Sequence, residues 1–110
     1  MKLTEVIEKK FMTGYKVMNT DGKDIWSMAN KRLKFPLEKG TIITMPGHGV
    51  FLSPNKEYVK DYYAGHNESE AFLTLQFDPS TIISGNLTDR EPEITVKSAM
   101  IIDFKIIVEH

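Results

Sequence analysis

The chain has 110 residues, 14 Lys+Arg against 15 Asp+Glu, a net charge of -1 and no cysteine. That length suits one domain over residues 1–110, burying about two-thirds of its unfolded surface. The balanced, dispersed charge lacks the basic footprint of a nucleic-acid binder, and the missing thiols exclude disulfides and thiolate metal sites.

The first residues, MKLTEVIEKKF, carry glutamates where an export signal needs an apolar run. Nowhere does an apolar run approach the roughly 20 residues of a membrane span. The expectation is a soluble, cytoplasmic protein with no membrane contact.

Val6, Ile7 and Phe11 fall at helical spacing behind Thr4, which predicts a short amphipathic helix over 4–11. Tyr15-Lys16-Val17-Met18 follows Gly14 with β character and reads as the first strand. Asn19-Thr20-Asp21-Gly22 is a turn, because Asn and Asp bond their own backbone and Gly permits positive φ. Asp24 starts a second predicted helix through Leu33, with Ile25, Met28, Ala29 and Leu33 on one face and Trp26 at its rim. Pro36 bars its continuation.

Gly40–Tyr63 is the most informative stretch. An apolar strand over Thr41–Met45 leads to the turn Pro46-Gly47-His48-Gly49, then to Val50-Phe51-Leu52. Ser53-Pro54-Asn55 places polar groups at a helix start. The helix ends in Tyr62 and Tyr63, and Tyr58, Val59, Tyr62 and Tyr63 form a stripe. That stripe reads either as core packing or as a face on which a ring can stack.

Glu70–Phe77 alternates, with Ala71, Leu73, Leu75 and Phe77 sharing one face of a half-buried strand. Asp78-Pro79-Ser80 ends it, Thr81-Ile82-Ile83 is a short apolar run, and 84–90 is a polar loop. Two further strands follow, Glu91–Val96 and Ile101–Val108. Helices early and hairpin-like strands late predict an α+β fold with a mainly antiparallel, split β-sheet and short helices.

Glu91 and Glu93 stand two apart, on one face of a strand. Like charges held together raise one carboxyl pKa if buried; solvated, they are an ordinary charged edge. His48, His66 and His110 show no ligand spacing, so no metal is expected. No phosphate loop followed by lysine and no nucleophile elbow occurs.

Three blocks together resemble the ADP-ribosyltransferase superfamily, the NAD-using fold of bacterial toxin transferases and poly-ADP-ribose polymerases. They are Gly14-Tyr15-Lys16-Val17, the Gly40–Tyr63 stretch with Phe51-Leu52-Ser53-Pro54-Asn55, and Glu91-Pro92-Glu93-Ile94-Thr95-Val96 with the closing strand. The resemblance implies Glu93 as the catalytic glutamate, which bonds a ribose hydroxyl and stabilises an oxocarbenium-like transition state. It implies that Glu91 positions or deprotonates the acceptor, and that Ser53 supports the cleft and orients Glu93. Phe51 and Tyr62 would flank the nicotinamide, with Tyr15 and Lys16 at the start of the NAD site. Lys16 stands where the family usually has Arg or His, and only the first serine of a Ser-Thr-Ser motif is kept.

The implied activity is mono-ADP-ribosylation of a protein side chain from NAD, with Glu91 rather than Gln pointing to an arginine acceptor. The Tyr15-Lys16-Val17 start and the block around Phe51 also resemble small phage-associated domains. The alternative, favoured by Lys16 in place of Arg or His, is a non-catalytic module that docks on a host protein. A third alternative is an unrelated α+β domain whose two glutamates are solvated.

Overall fold

A computed structural model describes residues 11–27, 31–85, 87, 90 and 92–108. Residues 4–10 of the expected first helix lie outside that set. The first strand, β1, runs Met12–Thr20, longer at both ends than the sequence pattern suggests. Its inward row, Gly14, Lys16 and Met18, faces the core, and Gly14 and Met18 are buried.

The helix expected from Asp24 is corrected: Asp24–Trp26 is a short strand, β2, antiparallel to β1. The cause is the turn before it. Asp21 Oδ1 accepts the N–H groups of Lys23 and Asp24 at 2.9 and 2.8 Å, and Thr20 Oγ1 donates to the Asp24 carbonyl at 2.7 Å. These bonds fold the chain back on β1 and bury Ile25, so pairing overrides the helical pattern of apolar residues. Residues 28–30 of that expected helix lie outside the described set. Lys34–Pro36 forms β3 on the outer edge of β2, where a proline is tolerated. Trp26 sits at the rim with Lys34 Nζ 4.9 Å from its ring centre.

Strands β4 (Ile42–Thr44) and β5 (Val50–Leu52) flank the glycine turn as expected. They do not pair with each other: β4 joins β9 and β5 joins β8. The helix α1 (Lys56–Tyr63) follows at once. Then come β6 (Ser69–Phe77), a 3-10 turn (Pro79–Thr81), β7 (Ile82–Gly85), β8 (Ile94–Val96) and β9 (Ser98–Val108). Among the described residues α1 is the one α-helix, so the expectation of helices early and strands late does not hold for them.

Two antiparallel sheets result, one ordered β3-β2-β1-β6-β9-β4 and one ordered β5-β8-β7. The shared core lies between them. Ala71, Leu73, Leu75 and Phe77 are all buried, as the alternation predicts, and meet Leu52, Val50, Ile94 and Val96 from the smaller sheet. A bulge opposite Thr74/Leu75 lets Ile101 face Leu75 and Phe104 face Leu73. The sheets approach closely at Gly14, where an added Cβ would lie 2.5 Å from Leu52 Cδ1. No helix among the described residues is long and apolar enough to cross a membrane.

Candidate functional site

The crossing of β1 over β5 builds the site. Tyr15 and Ser53 exchange backbone hydrogen bonds, Tyr15 N–H to the Ser53 carbonyl at 2.7 Å and Ser53 N–H to the Tyr15 carbonyl at 3.1 Å. This bridge ties the larger sheet to the chain entering α1. It brings Tyr15, Lys16, Phe51 and Ser53 around one cavity of about 40 Å³. Glu93, from the segment just before β8, and Tyr63, the last residue of α1, complete the lining.

Ser53 is buried, and its hydroxyl accepts the Asn55 N–H at 3.1 Å rather than reaching Glu93. Asn55 in turn caps α1, its Oδ1 accepting the Tyr58 N–H at 3.0 Å. Two tyrosines of that helix hold Glu93. Tyr58 donates its phenol to Glu93 Oε1 at 2.6 Å, and Tyr63 donates to the same oxygen. The hydrogen bonds that orient Glu93 come from Tyr58 and Tyr63, while Ser53 bonds the chain at the start of the same helix. Burial pushes the Tyr63 phenol well above the usual tyrosine range, and its hydrogen bonds to Glu93 and Tyr58 push it the same way. Tyr63 thus keeps its proton and remains a donor.

The resemblance implies Tyr62 as a flank of the nicotinamide; of the helix tyrosines, Tyr63 lines the cavity. Tyr62 is 62 % exposed and lies outside the cavity lining, its ring stacked on Tyr58 at 5.5 Å. Val59 is the buried residue of α1, and the residue four further on, one turn above it, is Tyr63. That spacing was the available signal.

Lys16 sits on the inward row of β1, and Nζ donates to the Phe51 carbonyl at 2.8 Å. Burial lowers its pKa to about 8. It makes no ion pair among the described residues, so an ammonium stands in the cavity without a carboxylate partner. The Phe51 ring is 40 % exposed beside it. Tyr15 lies against Phe72, ring centres 6.0 Å apart, with Lys56 Nζ 6.0 Å from its ring centre. Glu91 lies outside the described residues, and Glu93 precedes β8 rather than sitting within a strand. The same-face argument for the two glutamates therefore has no strand to act on.

Two further groups support the site. Glu70, fully buried, accepts the Gly65 N–H at 2.6 Å and the Asn67 side-chain N–H at 3.1 Å, which fixes the loop after Tyr63. Gly85 has φ 97° and lies against the Glu93 carbonyl and Ile94 Cα, a gap only glycine fits. The cavity thus presents a carboxylate, an ammonium, two phenols and aromatic walls in a volume that holds water molecules but no ring. No protein family, characterised protein or solved structure matches this chain.

Proposed function

We propose that this cavity is an NAD site and that the protein transfers ADP-ribose to a side chain of a target protein. One observation carries the reading: Lys16, Ser53 and Glu93, far apart in sequence, meet at one cavity. Glu93 has one oxygen held by Tyr58 and Tyr63, and its Oε2 takes no hydrogen bond among the described residues. That oxygen accepts a ribose hydroxyl, and the carboxylate charge stabilises the oxocarbenium-like cation as the C1′–nitrogen bond breaks and nicotinamide leaves. Lys16 supplies positive charge to the diphosphate. It does so as a point charge without an arginine's fork. Admission of the nicotinamide ring needs the exposed Phe51 side chain to move outward.

The test is transfer of label from NAD to protein in a cell lysate. Wild type transfers and Glu93→Gln does not. Transfer that persists in Glu93→Gln removes the role given to that residue.

The second reading is a binding module on a degenerate site of this kind, docking on a protein partner without chemistry. The 40 Å³ volume favours it. Calorimetry separates the two: heat on titration with NAD supports the first, and none at millimolar NAD supports the second.

A further inference from the structure

Beside the small cavity lies a wider groove of about 230 Å³, and Lys16 and Phe51 line both. Leu33, Met45, Pro46 and His48 form much of its wall. Lys16 is therefore a half-buried lysine at the junction of a polar cavity and a largely apolar groove. Its one hydrogen bond among the described residues goes to a neutral carbonyl. Of the other titratable groups around it, Tyr15, Tyr63 and Glu93 line the small cavity and His48 the groove. None of them forms an ion pair with it.

We propose that Lys16 is a carbonyl-capture site, forming an imine with small aldehydes whose apolar or aromatic body fills the groove. This inference does not rest on the NAD reading. The neutral amine nitrogen bonds the carbonyl carbon, giving a carbinolamine. Loss of the carbonyl oxygen as water, with the two hydrogens of the amine, leaves the C=N bond. No oxidant or reductant is consumed. A partly desolvated lysine without an ion-pair partner is the kind of amine that does this near neutral pH.

The supporting electrostatics set the expected size. At about pH 7.5 an amine titrating at about 8 is roughly a quarter neutral, against about one part in a thousand for an ordinary lysine. Lower intrinsic nucleophilicity takes back about 10–20-fold, so a preference of about tenfold remains.

The experiment treats the full chain with benzaldehyde and cyanoborohydride, which reduces the imine to a stable benzyl-lysine, and maps the labelled peptides by mass. With benzaldehyde Lys16 should label several-fold beyond that roughly tenfold preference over the other lysines, and Lys16→Arg should remove that fast label while leaving the slow ones. Label that merely follows surface exposure overturns the proposal. Formaldehyde, which has no body to fill the groove, should show only the roughly tenfold preference that the amine itself sets. An equal preference for both aldehydes overturns the ligand class. The wild-type map needs no variant, so a poorly folding substitution does not shelter the idea.

Discussion

Lys16→Met should change how stability depends on pH. In the folded chain the Lys16 pKa is lowered from 10.5 to about 8. Between those values the unfolded chain binds more protons than the folded one, so stability rises with pH. The full shift of 2.5 units corresponds to roughly 3.4 kcal/mol at about 1.36 kcal/mol per unit. From about pH 7.5 to about pH 9.5 the gain is roughly 1.8 kcal/mol. Lys16 is half-buried and keeps some solvent contact, which lowers the expectation to about 1–2 kcal/mol. Tyr63 has the opposite sign: its folded pKa is raised, so its contribution is present below about pH 10 and lost above it. Measurements therefore stop near pH 9.5. Urea unfolding of both proteins across this window should show wild type gaining about 1–2 kcal/mol relative to Lys16→Met. Parallel pH profiles would refute the placement of Lys16 in a desolvated site.

Four further outcomes follow from the packing. Gly14→Ala puts a methyl 2.5 Å from Leu52 Cδ1 and 3.2 Å from Phe77 Cε1, and should lower stability by about 1–3 kcal/mol in urea titration. Glu70→Ala leaves the Gly65 N–H without its buried acceptor, and should cost about 2–4 kcal/mol and speed hydrogen exchange at Gly65. Tyr63→Phe removes one of two donors to Glu93; the protein should stay folded by circular dichroism and lose about 1–2 kcal/mol. If the NAD reading holds, affinity for NAD should fall as pH rises through about 8, because the Lys16 ammonium loses its proton, and calorimetry at two pH values reads this directly.

The long strand β6 was legible because Ala71, Leu73, Leu75 and Phe77 are all buried on one face, which writes a period-2 pattern even though Phe72 interrupts it on the other. The sequence Gly40–Tyr63 was legible element by element, since turns and caps are local chemistry: glycine in the turn, and Asn55 bonding the backbone three residues on. Over Asp24–Leu33 the same local logic failed. Apolar spacing there suits a helix, but Ile25 is buried by pairing with β1, a contact that spacing does not encode.

The candidate site divides in the same way. Sequence alone determined the residue types: a lysine in the first strand, a serine before a helix cap, a glutamate at the start of a late strand, and tyrosines on one helix. Tertiary structure decided which of them meet. Crossing β1 over β5 set Lys16 beside Phe51 and Ser53. The rotation of α1 about buried Val59 turned Tyr63 inward, where it joins Tyr58 on Glu93, and left Tyr62 outside. Which residues share a cavity depends on how separate segments pack, and that is settled by contacts between residues dozens of positions apart.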